Sequence, residues 1–410
     1  MTRITIAITI AISALSCMYS CSAGSHVDNK EILDYCDIIA SHDIINNDTV
    51  ISCHLDRIDT DKTIRLPLSS LVDSLEVIVL EDKEEAMCGM GPVWVSDNYI
   101  LTSAGMRNSA SLLFRRDGSF VGKLGDLGNG PGEYRFSIFQ RQIDENAGRV
   151  YLYSFTDPYI LMYDLRCNFL REIPLAHHPK SERVEFFADY DKNETDVFLF
   201  ICPEETDTLI TTFRQTLDGT IIDEHCHAGL SDKTKEHGFD YGSINTILKD
   251  RDNILFTPHH DKTPNDTILQ YDRRNCKLTP RFTVAGASED TNVQLTYMSG
   301  LYFTIAYDAS GVRTIVTDPR TLKGSVCEIY NDMLGGIDLS EGCAGQLCNA
   351  LYNNNYGFAW MYDSGDFTDA IGARLAEDIT EDERDRLNAL LADIPAEGNN
   401  IVVLGRSKQQ

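Results

Sequence analysis

Positive charge is what this chain of 410 residues has least of: 36 Lys and Arg stand against 63 Asp and Glu, a formal net charge of −27. A field of that sign repels polyanions, so nucleic acid and anionic lipid headgroups are excluded as partners held by general electrostatic attraction. Long apolar runs are missing too. The N-terminal stretch Ile4 to Leu15 spans twelve residues, short of the ~20 a membrane-crossing helix needs. Local catalytic signatures are absent: there is no CxxC or HExxH spacing for zinc, no GxSxG elbow and no Asp-x-Asp-x-Asp-Gly calcium loop. The histidine groups His177-His178, His259-His260 and His225-Cys226-His227 put neighbours on opposite sides of a strand, so they are expected at the surface, and no metal or other cofactor is expected. With 63 carboxylates, acid pairs arise by chance, and no catalytic residue is assigned. The 12 cysteines are sparse for this length, and several lie in apolar strand-like runs such as Phe200-Ile201-Cys202, where a thiol packs as a small hydrophobe. Cys343 and Cys348 alone share a loop at pairable spacing.

The N-terminus gives an address. Arg3 precedes the apolar stretch, whose length matches the ~7–15 residues of an export-signal core. Ser16-Cys17 follows, then Ser20-Cys21. A small residue before a cysteine, after an apolar core, resembles the bacterial lipobox, whose cysteine is acylated. That resemblance implies lipidation at Cys17, with Cys21 the alternative; ordinary cleavage after Ala23 is the other reading. An acylated cysteine would tie the chain to a membrane without spanning it. Residues 1–20 are therefore expected as a lipoprotein-type signal, 21–65 as a leader or tether and 66–410 as the folded body.

From about residue 75 the chain is a procession of short runs rich in Val, Ile, Tyr, Phe and Leu between Asp, Asn and Gly turns, the pattern of an all-β sandwich, barrel or propeller. Four stretches align: Leu112–Val121, Leu161–Leu170, Thr211–Ile221 and Leu269–Leu278, with Thr314–Gly324 a weaker fifth. Each is an apolar strand ending near an aromatic, then a polar turn, then another strand. The markers Phe114, Tyr163, Phe213, Tyr271 and Val316 recur at roughly 50-residue intervals, the spacing of β-propeller blades with four strands each. A twisted four-stranded sheet cannot bury both apolar faces alone, so blades stack until the ring closes. Five blades are expected at 90–130, 135–180, 184–240, 243–290 and 297–335. The C-terminal strands are too few for a sixth, and Leu75–Leu80, which has no local partner, is expected to complete it. The expected fold is thus an all-β six-bladed β-propeller, monomeric, with an N-terminal strand closing the ring.

One short helix is expected as an insertion near the C-terminus. Thr380 and Glu383 form a capping box, and Leu387, Leu390 and Leu391 form its apolar stripe. Residues 24–66, acidic with few apolar runs, allow a tether or an added strand pair; a partly ordered extension is the reading adopted.

The turn Gly128, Gly130, Pro131, Gly132, Glu133, Tyr134 resembles the GxGPGEY turn of a family of bacterial six-bladed β-propeller lipoproteins related to NHL-type propellers. Leu66–Glu81 is similar to that family's opening strand, and Ile143-Asp144-Glu145, Tyr163-Asp164 and Asn265–Tyr271 are similar to its blade patterns, so the resemblance covers about residues 60–405. It implies the propeller fold and a place in the cell envelope, lipid-anchored at the outer membrane, but no substrate. The turn's glycines are read as supplying positive φ and its proline as stiffening the link between blades. No Lys-Ser/Thr follows and no helix begins, so it is not a phosphate loop.

Propeller sites sit at the channel mouth. The inner strands are expected to include Val93–Val95, Ser137–Phe139, Phe186–Ala188, Ser243–Asn245 and Asn353–Asn355, and Trp94, Asn245, Asn354 and Asn355 are the ligand-binding candidates because they stack on or hydrogen-bond a sugar or peptide. The expected role is a non-enzymatic envelope lipoprotein that binds a protein partner or an extracellular carbohydrate or peptide. The alternative is a propeller lyase or hydrolase with its site at the same mouth.

Overall fold

The computed structural model describes residues 29–45, 47–105, 110–136, 138–154, 157–177, 183–200, 208–228, 242–249, 252–260, 266–288, 290–337, 358–395 and 398–408. Its strands form six sheets arranged as the blades of a propeller. Blade one comprises Trp94–Val95, Tyr99–Ser103, Ser111–Arg115 and Phe120–Leu124. Blade two comprises Ile138–Asp144, Arg149–Ser154, Tyr159–Asp164 and Phe169–Pro174. Blade three runs from Arg183–Asp189 through Glu194–Phe200 and Thr208–Thr216 to Ile221–Ala228. Blade four runs from Gly242–Lys249 through Asn253–His260 and Thr267–Asp272 to Lys277–Ala285. Blade five runs from Asn292–Met298 through Leu301–Asp308 and Gly311–Thr317 to Lys323–Tyr330. Blades three and five start at Arg183 and Asn292, slightly ahead of their expected limits. Within each blade the strands pair antiparallel in chain order, from the inner strand outward.

The repeat marker has one structural address. Phe114, Tyr163, Phe213, Tyr271 and Val316 all lie on the third strand of their blades, each at most 1% exposed. The turn that follows carries a recurring carboxylate. Asp117, Asp164, Asp218, Asp272 and Asp318 each accept from the backbone N–H two residues on, at 2.8–3.2 Å. This is the Asx geometry that lets a short acidic side chain stand in for a backbone turn, and it places part of the negative charge on the outer hairpins.

Six apolar clusters hold the ring, each spanning one blade-to-blade interface. The cluster that closes it joins Ile78, Met361, Val402 and Leu404 of blade six to Val95, Ile100, Leu112 and Phe114 of blade one. Burying one such side chain contributes about 1.5–3 kcal/mol, so an open ring would leave a whole interface wet. In blade six, Val72–Val79 pairs antiparallel with Ile401–Ser407, Val77 opposite Val403, and Ile401–Ser407 pairs with Phe358–Tyr362. The closing strand expected from the sequence is therefore present, as the outermost strand of the last blade.

Residues 37–67 are not a loose leader. The hairpin of Ala40–Ile45 and Asp48–His54 extends blade four, with Ile51 opposite Phe282 in a parallel pairing. Thr63–Pro67 runs parallel to the outer strand of blade five, Leu66 opposite Ile329. These strands cover two sheet edges that would otherwise be open to pairing. Their inward residues, among them Val50, Cys53 and Leu66, are at most 1% exposed. The outward Asp and His residues between them obscured the alternation in the sequence.

The C-terminal insertion holds two helices rather than one, Ser364–Leu375 and Glu381–Asp393. The second carries the expected capping box, Glu383 N–H donating to Thr380 Oγ1 at 3.2 Å while Glu383 Oε2 accepts from Thr380 N–H at 2.9 Å. Leu387 and Leu390 are buried against blades five and six. The first helix, capped by Asp363, buries Phe367 and Ile371, four residues apart on one face.

Candidate functional site

The first strands of adjacent blades lie side by side around the axis, and polar side chains staple them. Between blades two and three, the Gln142 amide donates to Ala188 O at 2.6 Å and accepts from Ala188 N at 2.9 Å. Between blades three and four, Lys249 Nζ donates to Glu185 Oε1 at 2.9 Å, and Thr246 Oγ1 donates to the other oxygen of the same carboxylate. Lys249 also lies over the Phe186 ring, 4.8 Å from its centroid. Both staples are balanced: one is neutral and reciprocal, the other pairs opposite charges.

Between blades one and two the balance fails. Arg141, on the inner strand of blade two, is 5% exposed. Its guanidinium lies over the Trp94 ring, 4.5 Å from the centroid, and its Nε donates to Ser111 Oγ at 3.2 Å. Ser111 N in turn donates to the Tyr134 hydroxyl at 3.1 Å. A guanidinium carries five N–H donors; the other four have no acceptor among the described residues, and no carboxylate there pairs with it. Burial pushes its pKa down to about 10, with only the nearby Tyr134 opposing. A buried cation without an anion costs several kcal/mol. Ser111 opens the third strand of blade one, so the group lies toward the end of the ring from which the second-to-third-strand and blade-to-blade connections emerge.

Trp94, a ligand candidate by sequence, is thus 4% exposed and serves as the floor under Arg141. Asn245 lies in the inner strand of blade four, opposite Thr257. Asn354 and Asn355 lie outside the described residues, as do Cys17, Cys21, Cys343 and Cys348. Arg141 itself was missed. A lone Arg in the run Ile138–Asp144 carries no spacing signal; the signal is that no carboxylate faces it among the described residues.

The glycine turn packs against this group. Gly128 N donates to Tyr134 O, Tyr134 N to Asp126 O and Glu133 N to Gly130 O, each at 3.0 Å. Tyr163 of blade two donates its hydroxyl to Gly132 O at 2.5 Å. Of the turn's three glycines only Gly132 has positive φ, +77°. Gly128 and Gly130 answer to a different constraint: the Glu133 carboxylate folds back to accept from Gly130 N at 2.7 Å and lies where a Cβ on either would press against it.

A second charged group, Asp196 between Arg214 Nε at 2.8 Å and Arg273 Nε at 2.5 Å, is buried and joins blades three and four. Away from the inner strands, Asp223, His225 and Cys276 gather metal-competent atoms. No helix among the described residues is long and apolar enough to cross a membrane.

The fold and the inner-ring group define a six-bladed β-propeller in which a desolvated arginine between blades one and two has no carboxylate beside it among the described residues. The chain belongs to the family described as a domain of unknown function, DUF4934, whose sequence model matches residues 49–406. No curated protein matches it. Among solved structures, a Bacteroides fragilis protein assigned to the exported proteins is similar at 16% identity and TM-score 0.56, over 85% of this chain and 98% of that one. A DUF4221-family member from Bacteroides vulgatus aligns at 7% identity and TM-score 0.35, over 60% and 82% of the two chains. The periplasmic gluconolactonase of Pseudomonas aeruginosa aligns at 10% and 0.33, over 60% and 70%.

Proposed function

We propose that the protein is an exported lipoprotein of the bacterial cell envelope, related to NHL-type propellers, that binds a carbohydrate or peptide bearing a carboxylate at the blade one–blade two end of the channel. Arg141 carries this reading: it is a buried, preoriented guanidinium on an aromatic face with no anion beside it among the described residues, and planar guanidinium matches carboxylate in bidentate geometry. The net charge of −27 works against adventitious anion capture, so the ligand's carboxylate has to be held by this fixed fork rather than drawn in by the overall field.

The test is thermal unfolding of the full-length chain with acidic glycans and acidic peptides beside their neutral counterparts. A ligand at about a hundredfold excess over its Kd stabilises by about 2.7 kcal/mol. At least one acidic compound is expected to raise Tm, and Arg141→Met is expected to abolish that rise while leaving the unliganded protein at least as stable, because an uncompensated buried charge is removed. A rise that survives Arg141→Met, or one given equally by neutral counterparts, overturns the assignment. Turnover of the bound compound would move the protein to the enzyme class. Mass measurement of the mature N-terminus in Cys17→Ser and Cys21→Ser chains tests the anchor.

A further inference from the structure

Asp223 and His225 stand two residues apart on the outer strand of blade three, Asp223 exposed and His225 partly exposed. His225 Nε2 lies 2.9 Å from Asp223 Oδ2. Cys276 comes from a different blade. It sits in the turn before the outer strand of blade four, 8% exposed, with φ of +54°. The equivalent turns of blades one and three put Gly118 and Gly219 in the left-handed region, where a side chain is normally avoided. One ligand atom from each of the three residues lies within 4.8 Å of the others.

The same turn in blade two offers a comparison. Cys167 is also left-handed, at φ of +65°, but its sulfur lies against Gly122 of blade one's outer strand, which carries no side chain. At the blade three–blade four position that place is taken by a carboxylate and an imidazole. Thiolate, imidazole and carboxylate together are the donor set of a borderline-soft divalent ion. Magnesium or calcium would call for oxygen donors alone.

We propose that Asp223, His225 and Cys276 form a site for one divalent transition-metal ion, zinc fitting best, that clamps the outer strand of blade three to blade four. Tetrahedral zinc at about 2.0–2.3 Å from each ligand needs the donors to draw in by about an ångström. His225 and Asp223 are already that close. The fourth position faces solvent and is left for water or an exogenous ligand. Binding releases the Cys276 thiol proton to solvent. Without metal, burial holds that thiol protonated, while the Tyr271 hydroxyl and the Arg214 charge favour the thiolate.

The probe is cobalt(II) alone, titrated into full-length chain stripped with a chelator. One equivalent is expected to give a thiolate-to-cobalt charge-transfer band, lost on adding zinc, and zinc is expected to raise Tm. Cys276→Ser should abolish the band, and His225→Ala should weaken cobalt binding about tenfold or more; Cys226→Ser, beside His225 but outside the triad, should leave both unchanged. His225 is partly exposed, so its variant reports on binding even where Cys276→Ser lowers stability. Absence of the band, its persistence in Cys276→Ser, unchanged affinity in His225→Ala, or its loss in Cys226→Ser each overturns the site.

Discussion

Tyr163 donates its hydroxyl to the Gly132 carbonyl at 2.5 Å, so a fully buried side chain of blade two holds the turn that leaves blade one. The Phe169 ring, edge-on to Tyr163, occupies the place where a Cβ at Gly132 would lie. Tyr163→Phe leaves a buried carbonyl unsatisfied and is expected to cost about 1–3 kcal/mol. Gly132→Ala, combining a clash with positive φ, should cost more. Urea midpoints at unchanged slope measure both, and a Tyr163→Phe midpoint equal to wild type would show the contact to be neutral.

The Glu185–Lys249 pair calls for a cycle rather than a single variant. Lys249 is fully enclosed, and burial depresses its pKa despite the carboxylate beside it. Lys249→Met strands Glu185 and should cost about 3–5 kcal/mol, whereas Lys249→Met with Glu185→Leu should recover most of that. If the double variant is as unstable as the single, the pair is not what that interface depends on.

Asn399 uses its whole amide at the ring closure. Its Oδ1 accepts from Cys88 N at 3.1 Å and Asn400 N at 2.9 Å, and its Nδ2 donates to Glu81 O at 3.0 Å and Ala86 O at 2.8 Å. It is 2% exposed. Asn399→Ala orphans several backbone groups at once, and a loss of about 2–4 kcal/mol is expected. Hydrogen exchange should show faster opening of segment 81–88 than of blades two and three; uniform exchange would refute the latch.

Acid should act on the outer turns. Hydrogen bonds from Ser119, Thr216 and Ser310 hold the carboxyls of Asp117, Asp218 and Asp308 below the ordinary Asp value of 3.8. The unfolded chain therefore takes up these protons first. Their contribution is complete above pH ~4 and is lost as pH falls through the lower folded values. The triple Asp→Asn variant, which keeps the turn's acceptor oxygen, should lose less Tm than wild type between pH 6 and pH 3.

The ring was legible because its repeat rests on one requirement, a large apolar side chain on the third strand, and Phe114, Tyr163, Phe213 and Tyr271 meet it in the open. The closing strand was legible for the converse reason, as an apolar run without a local partner. Ala40–Ile45 and Asp48–His54 were harder, since one face of each is polar and their partner is far along the chain. The turn's glycines were read through backbone angle, yet two of them answer to the Glu133 side chain. Arg141 and Cys276 were beyond reach from sequence: each is informative only through what another blade places, or fails to place, beside it.

The strand Val72–Val79 pairs with Ile401–Ser407, far along the chain from it. Contacts of such sequence separation form late and slowly. Each blade edge covered by residues 37–67 is likewise made by a segment that appears long before its partner. Until Ile401–Ser407 has been made, Val72–Val79 lacks the strand it pairs with, so a chain cut short before Ile401 leaves that edge open to wrong pairing.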